Sequence, residues 1–159
     1  MCGICGFTGR ANKIILKKMT DSIIHRGPDE NGFYSDEKIN LGIRRLSIID
    51  VETGHQPIHN EKKNIWIVVN GEIYNYKELR KELKEKGHCF YTDHSDTEVI
   101  VHLYEEYGSS FMHKLNGMFA IALWDKDEDK LLVIRDRMGG KTLFYAIAKN
   151  ILVFGSEIK

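Results

Sequence analysis

The chain has few cysteines, few prolines and no long apolar run. Its 159 residues include three cysteines and two prolines. Three thiols cannot all pair with one another, and a reducing compartment would keep them as thiols, so no disulfide framework is expected. Apolar runs such as 65–69 are far too short to cross a bilayer, and the first residues lack the charged-then-apolar pattern of a secretory signal. We therefore predict a cytoplasmic location.

An excess of charge of either sign is also missing. Lysine plus arginine and aspartate plus glutamate both total 23, which gives a formal net charge of zero. Because nucleic acids and anionic membranes are bound through basic stripes, neither is expected as a partner. The Walker loop, the dinucleotide fingerprint, the Gly-x-Ser-x-Gly elbow and the His-Glu-x-x-His motif are absent as well. The expected partner is a small molecule or another protein.

The hydrophobic content and periodicity of the chain predict one α+β domain spanning 1–159. Hydrophobic residues make up 42% of the chain, enough for one sizeable core, and no linker or repeat divides it. Helices are predicted over 13–24, where Ile14, Ile15, Met19, Ile23 and Ile24 recur at helical spacing, over 76–86, and from 95 to a stop at Gly108. Strands are predicted over 4–8, 32–35, 39–44, 65–69, 119–124, 131–135, 143–147 and 151–154. Helices beside antiparallel hairpins favour a sandwich over a doubly wound parallel sheet.

Cys2 is the first candidate for chemistry. A small residue after Met1 normally permits removal of the methionine, which would leave an α-amine and a thiol on one residue. Their ordinary pKa values of about 7.7–8.0 and about 8.5 are close enough for the amine to take the thiol proton. Gly3 would then avoid crowding an acyl group on Cys2. The alternative is that Cys2 is simply the second residue of a mobile end.

Cys2 and Cys5 also form a Cys-x-x-Cys pair. This pair would fit a redox motif, or half of a zinc site completed by His55 and His59. A redox motif of this kind usually opens a helix after a strand, whereas strand-like residues follow here. The simpler alternative places Cys5 in the core and both histidines at the surface.

Three further positions offer polar groups suited to an amino-acid substrate. Asn70 and the Gly71 amide follow a strand predicted to be buried on both faces and could hold an oxyanion, although Asn-Gly is also a common hairpin turn. Arg45, at a strand end, could bind a carboxylate through two parallel bonds, or form an ordinary surface ion pair. Asp96 could hold an ammonium group, or cap the third helix. Separately, the segment 135–140 predicts a turn with a buried charge network, because it lacks the ending of a phosphate loop.

Several motifs stand in a fixed order along the whole chain. Together they resemble class II glutamine amidotransferases, specifically the glutaminase domain of glutamine-dependent asparagine synthetase. Pro28 favours the asparagine-synthetase branch over those that make phosphoribosylamine or glucosamine phosphate. The motifs are Met1-Cys2-Gly3-Ile4, His25-Arg26-Gly27-Pro28-Asp29, Arg45-Leu46-Ser47-Ile48, Asn70-Gly71-Glu72-Ile73-Tyr74-Asn75, Ser95-Asp96-Thr97-Glu98, Leu115-Asn116-Gly117-Met118-Phe119-Ala120 and Arg135-Asp136-Arg137.

The resemblance implies a fold and a set of roles. The fold would be the four-layer αββα sandwich of N-terminal-nucleophile hydrolases, with two antiparallel sheets between helical layers. The substrate would be L-glutamine, hydrolysed to glutamate and ammonia. By similarity, Cys2 attacks the side-chain amide, Asn70 and the Gly71 amide hold the oxyanion, Arg45 binds the α-carboxylate, and Glu72 and Asp96 hold the α-ammonium.

The resemblance also implies partners. Ammonia would pass to an ATP-dependent synthetase domain that is expected to be absent from 1–159, as in a shortened chain or a separately encoded glutaminase subunit. The glutaminase half would need no metal or organic cofactor, and ATP and Mg²⁺ are expected only on the synthetase domain. A homodimer is left open. The loop 138–142 departs from the family pattern, which has an aromatic residue followed by Gly-Ile-Lys-Pro, so a non-catalytic glutamine-binding or interaction module is the alternative function.

Overall fold

A computed structural model describes residues 1–47, 50 and 52–158. Three α-helices occur in this part of the chain: α1 (Lys13–Ser22), α2 (Tyr76–Glu85) and α3 (Val99–Tyr107). Two short 3₁₀ helices cover Ile24–Arg26 and Gly108–His113. The strands are β1 (Gly3–Thr8), β2 (Glu30–Ser35), β3 (Ile39–Arg45), β4 (Ile58–His59), β5 (Ile65–Ile73), β6 (Gly117–Asp125), β7 (Lys130–Arg135), β8 (Phe144–Ala148) and β9 (Ile151–Gly155).

The strands form two sheets, and every strand pair in them is antiparallel. One sheet has the order β2-β3-β1-β9-β8, and the other has the order β4-β5-β6-β7. In the first sheet Gly3 of β1 lies opposite Arg44 of β3, so the chain start meets the end of β3. In the second sheet β5 and β6 pair along their whole length, from Ile65 opposite Asp125 to Ile73 opposite Gly117.

Apolar side chains fill three layers of contact. Between the sheets, Ile4 and Leu41 of the first pack with Val68 and Ala122 of the second. On the outer face of the second sheet, α2 and α3 cover residues such as Ile67, and on the outer face of the first, α1 covers Cys5 and Phe7. The layer order is therefore helix, sheet, sheet, helices, which confirms the predicted αββα sandwich. No helix among the described residues is long and apolar enough to span a membrane.

Three predicted details of the elements are wrong. Strand β5 does not end at Asn70-Gly71, because its pairing with β6 continues to Ile73. The residues Asn70 and Gly71 therefore do not form a hairpin turn. Helix α3 begins at Val99 rather than 95, and Asp96 is not its cap. Helix α1 ends at Ser22 rather than 24, and a separate 3₁₀ helix covers Ile24–Arg26.

The buried face of α1 also differs from the apolar spacing in the sequence. Leu16 and Thr20 are the buried residues of the helix, whereas Ile14 and Ile15 are exposed. The small Thr20 fits here because Gly42 of β3 leaves room for it: a Cβ at Gly42 would meet the Thr20 methyl group at 2.6 Å. Close approach to the sheet, rather than hydrophobicity alone, therefore decides which face of α1 is buried.

Candidate active site

All six predicted site residues line one cleft, where the start of β1 meets the end of β3. They come from four separate parts of the chain, and the sandwich brings them together. Met1, Gln56 and Lys141 also line this cleft, with backbone from Leu46. The six predicted residues in the cleft are Cys2, Arg45, Asn70, Gly71, Glu72 and Asp96.

The Cys2 thiol is held by the backbone that follows β3. Its Sγ lies 3.4 Å from the amide nitrogen of Leu46, which donates to it, and 3.6 Å from the Leu46 carbonyl oxygen. The Cys2 carbonyl accepts a 3.0 Å hydrogen bond from Arg26 Nε. Cys2 is therefore fixed on both its side chain and its backbone, which contradicts a mobile chain end.

Two neighbours of Cys2 bear on the proposed chemistry. A Cβ at Gly3 would meet Arg26 Cδ at 2.9 Å and Ile23 Cδ1 at 3.0 Å. A side chain at position 3 would therefore collide with Arg26 and Ile23. Met1 lies at the cleft, where Lys141 Nζ is 3.4 Å from its sulfur atom. While Met1 is present, the Cys2 nitrogen is part of a peptide bond and cannot act as a base.

Asn70 and Gly71 lie side by side near the end of β5. Asn70 is 1% exposed, and its Nδ2 has no hydrogen-bond partner among the described residues. Gly71 is in close contact with β6, since a Cβ there would lie 2.2 Å from the Met118 carbonyl oxygen. A buried amide donor without a partner is costly, so a donor left in this state at a cleft wall is suited to binding an oxygen atom of a ligand.

Arg45 is buried at the end of β3 and is held by acceptors on two sides. Its guanidinium is 3.0 Å from a carboxylate oxygen of Glu30 and donates a 2.7 Å bond to the Asp50 carbonyl. It is therefore not a surface ion pair, although it does pair with an acid. These contacts fix the orientation of the guanidinium in the cleft wall.

Asp96 and Glu72 place two carboxylates in the same cleft. Asp96 is 6% exposed and its Oδ2 accepts a 2.8 Å hydrogen bond from the Ile73 amide. Burial raises the pKa of Asp96 to about 6, and the Glu72 carboxylate acts in the same direction, against the Ile73 hydrogen bond and the charge of Arg45. Such a pair of carboxylates is suited to a cationic group, which would relieve both burial and repulsion.

Sequence reasoning did not identify several residues that shape the cleft. Gln56 forms two hydrogen bonds with the backbone of Val69, of 3.2 and 2.7 Å, and so fixes β5 next to Asn70. Ser95 and Thr97 flank Asp96, and their hydroxyl oxygens lie 2.9 Å apart. Gln56 belongs to no motif, and Ser95 and Thr97 were named only as members of the motif around Asp96, so the tertiary structure is what places these three residues at the cleft.

The alternative zinc or redox site is wrong. Cys5 is 4% exposed in the core under α1, and burial raises the pKa of its thiol to about 12. His55 bonds Glu30 at 2.7 Å, whereas the His59 ring stacks on Tyr91 and meets Trp66 edge-on. Across the described residues, the two cysteines and these histidines form no common group of metal ligands.

The predicted turn after β7 contains a buried carboxylate. Asp136 accepts hydrogen bonds from the backbone amides of Phe119, Met138, Gly140 and Lys141, at 2.9 to 3.2 Å. These bonds hold its pKa below its usual range, against the effect of burial. The turn places Lys141 in the cleft wall, so the loop that departs from the family pattern contributes directly to the site.

Solved structures of low sequence identity share this fold. The chain superposes on the glutamine phosphoribosylpyrophosphate amidotransferase from B. subtilis with a TM-score of 0.78 at 19% identity, covering 98% of this chain and 42% of that one. A structure titled as the allosteric regulatory enzyme of purine biosynthesis gives 0.80 at 20% identity, with the same coverage. The chain thus shares the fold of these two enzymes.

Sequence comparison then defines the family. The family model described as a glutamine amidotransferase domain matches residues 1–159, and the chain belongs to that family. It is 49% identical to asparagine synthetase [glutamine-hydrolyzing] 2 of Bacillus subtilis (strain 168), covering 100% of this chain and 22% of that protein. It is 46% identical to asparagine synthetase [glutamine-hydrolyzing] 1 of the same strain, covering 98% and 26%. The chain thus spans about a quarter of the length of these relatives.

Proposed function

We propose that this domain hydrolyses L-glutamine to L-glutamate and ammonia, with Cys2 as the nucleophile once Met1 has been removed. One observation carries the proposal. The Cys2 thiol, an unpartnered amide donor of Asn70, the Arg45 guanidinium and the carboxylates of Glu72 and Asp96 all line one cleft. Each part of glutamine, its side-chain amide, α-carboxylate and α-ammonium, then meets a group of matching chemistry.

The reaction proceeds in two steps. The free α-amine of Cys2 takes the thiol proton, and the thiolate attacks the carbonyl carbon of the side-chain amide. Asn70 Nδ2 and the Gly71 amide donate to the oxyanion that forms, the C–N bond breaks, and ammonia leaves with the proton from the amine. Water then attacks the thioester, the C–S bond breaks, and glutamate is released with the thiol restored. A donor aimed at the oxyanion contributes roughly 3–4 kcal/mol to such a step.

Recognition of the amino-acid end depends on charge. Arg45 binds the α-carboxylate, and its bonds to Glu30 and Asp50 pre-orient the guanidinium, which reduces the entropy lost on binding. Glu72 and Asp96 bind the α-ammonium. An ammonium group beside Asp96 stabilises its ionised form, so bound substrate favours the carboxylate that an empty cleft disfavours.

The ammonia produced is supplied to an ATP-dependent synthetase domain or subunit of the asparagine-synthetase type, in the cytoplasm. The length and names of the relatives support this part of the proposal. ATP and Mg²⁺ belong to that second domain, and the hydrolysis of glutamine itself uses no metal or organic cofactor. All five residues of β8 are exposed, so this strand offers an apolar surface for such a partner.

The test combines intact mass with glutamate release. We expect purified chain that lacks the mass of Met1 to release glutamate from L-glutamine, and Cys2→Ala to abolish release while glutamine still binds. Cys89→Ala is the matched control, because Cys89 is an exposed free cysteine that does not line the cleft. A processed chain that binds glutamine but releases no glutamate, alone or with a synthetase partner, would overturn hydrolysis and favour a binding module.

A further inference from the structure

A second cluster of polar side chains lies outside the cleft and shares no residue with it. Its members come from three segments: Glu61 from the turn between β4 and β5, His88 from the connection between α2 and α3, and His102 and Glu105 from α3. Each offers one ligand atom, and these four atoms all lie within 4.8 Å of one another.

The distances between these atoms suit a single ion. Nδ1 of His102 lies 3.1 Å from Oε2 of Glu105 and 3.7 Å from Oε2 of Glu61. Nδ1 of His88 lies 3.5 Å from the same Glu105 oxygen. With metal–ligand bonds of about 2.0–2.1 Å, the edge of a tetrahedral zinc site is about 3.3 Å. These three separations therefore bracket this edge, and since all four atoms lie within 4.8 Å of one another, side-chain rotations that draw them together would complete the tetrahedron.

In both histidines the ring nitrogen that points away from the cluster faces a carboxylate. The other ring nitrogen of His88 lies 3.1 Å from Glu106, and that of His102 lies 3.7 Å from Glu98. Metal-bound histidines are commonly oriented in this way, because a carboxylate behind the ring fixes the tautomer and raises its basicity. His102 is 1% exposed, and its Nε2 has no hydrogen-bond partner among the described residues.

The outer atoms of the two carboxylates are held as well. Glu105 Oε1 accepts a 2.8 Å hydrogen bond from Asn60 Nδ2, and Glu61 Oε1 accepts a 2.9 Å bond from the Cys89 amide. In each case the second oxygen remains directed at the cluster. His88, Glu105 and Glu61 are thus each oriented by a hydrogen bond from outside the cluster, and the buried His102 ring faces Glu98 at 3.7 Å, which distinguishes the cluster from a chance group of surface charges.

Charge also favours a cation here. Four carboxylates surround the two imidazoles, and Lys86 and Arg80 lie near only Glu106 and Glu98, at 2.6 and 3.9 Å. Among the described residues, Glu61 and Glu105 form ion pairs only with the two histidines. When the imidazoles are neutral, one divalent ion would neutralise the charges of both the Glu61 and the Glu105 carboxylates. The Glu61 side chain is 40% exposed, so an ion has access from solvent.

We propose that Glu61, His88, His102 and Glu105 bind a divalent transition-metal ion, with Zn²⁺ as the best match. Two imidazoles and two carboxylates form a ligand set that zinc accepts, and four protein ligands leave no open position for catalysis. The site is therefore structural. It joins the turn before β5, the α2–α3 connection and α3. Cys2, Cys5, His55 and His59 take no part in it.

The experiment titrates Zn²⁺ into the full chain after chelator treatment and removal of any purification tag, with calorimetry as the readout. We expect one ion per chain, a rise of several degrees in Tm, and binding at least about tenfold weaker in Glu61→Gln and in His88→Asn. Both residues are at least partly accessible, and the glutamine can still accept the Cys89 hydrogen bond, so both variants should fold. Glu78→Gln and His113→Asn, at exposed positions outside the cluster, are the matched controls.

Co²⁺ separates this site from binding by the thiols. Four-coordinate Co²⁺ at the proposed site gives visible d–d bands without the near-ultraviolet sulfur-to-cobalt charge-transfer band that a cysteine ligand produces. That charge-transfer band would overturn the proposal, as would Zn²⁺ binding equally well to Glu61→Gln, His88→Asn and the controls, or no stoichiometric binding at all. None of these results bears on glutamine hydrolysis, which is measured separately.

Discussion

Among single residues, Asn70 combines deep burial with an unsatisfied donor. The cost of leaving such a group unpaired is about 1–3 kcal/mol. Gln56, nearby and also buried, pairs both its amide nitrogen and its amide oxygen with Val69, so the surroundings of the cleft do not prevent pairing. The lost free energy at Asn70 is recovered when an oxygen binds, and most fully when that oxygen carries a negative charge.

Asn70→Ala should therefore lower kcat for glutamate release by roughly 100–1000-fold, while KM changes little. The unfolding temperature should be unchanged or slightly higher, because the variant removes a donor that has no partner in the free domain. Steady-state kinetics and thermal denaturation measure both effects, with Asn31→Ala, at an exposed position of β2, as the control. A variant that loses activity and stability together would instead assign Asn70 a structural role.

Asp96→Asn should weaken glutamine binding and stabilise the free domain. The folded-state pKa of Asp96, about 6, exceeds its value of about 3.9 in an unfolded chain. Its contribution to stability is complete below about pH 3.9 and is lost as the pH rises through 6. The variant does not undergo this loss. Its free energy of unfolding should therefore exceed that of the original chain by an amount that grows from pH 4 to 6 and then remains constant, on the order of 1–3 kcal/mol.

Thermal denaturation at several pH values measures this advantage, and calorimetry with glutamine measures binding. In the original chain, glutamine binding should also weaken below pH 6, as Asp96 takes up a proton and ceases to attract an ammonium group. The carboxamide can still accept the Ile73 hydrogen bond, so local structure is kept. If Asp96→Asn and the original chain were equally stable both at pH 5 and at pH 8, burial of the Asp96 carboxylate would not be the cause of its raised pKa.

At the level of elements, local pattern predicted the strands and helices better than it predicted their ends. The continuous apolar run in 65–69 predicted a strand buried on both faces, which the structure confirms for β5. Its extension to Ile73 depends on pairing with β6, a partner distant in sequence that a local pattern does not contain. The buried face of α1 depends in the same way on contact with Gly42.

Gly71→Ala tests the close contact between β5 and β6. The added methyl group would lie 2.2 Å from the Met118 carbonyl oxygen and 2.6 Å from Phe119 Cα, and paired backbone atoms cannot move easily. We expect a loss of stability of at least about 1–3 kcal/mol, measured by urea denaturation. Gly155→Ala in β9 is the control, since its nearest contact would be 3.3 Å. Similar losses in both would show that strand propensity, not contact with β6, is responsible.

At the scale of the whole molecule, the sandwich explains why the site was only partly predictable. The six cleft residues were identified through motifs in a fixed order, and the fold brings them together. Gln56 and the Glu61 cluster had no such motif, because their members meet only when β4, β5 and α3 pack against one another. His102 and Glu105 lie three positions apart on α3, but Glu61 and His88 lie outside that helix, so no local spacing in the sequence links the four residues.

The edge strand β8 leads to a prediction for the molecule as a whole. It ends its sheet, and Tyr145 and Ile147 are 71% and 67% exposed. An open, apolar edge can pair with another chain, and a charged residue there prevents pairing. We therefore expect the domain to self-associate as its concentration rises, and Ile147→Lys to reduce this association while changing Tm little.

Light scattering coupled to size-exclusion chromatography provides the measurement. Ile14→Lys is the matched control, because Ile14 is 71% exposed on α1, away from any sheet edge. If both variants reduce association equally, general apolar exposure is the cause and the edge has no special role. If only Ile147→Lys acts, β8 is the contact surface. The same substitution in a chain that includes the proposed synthetase domain should then weaken the interaction between the two domains.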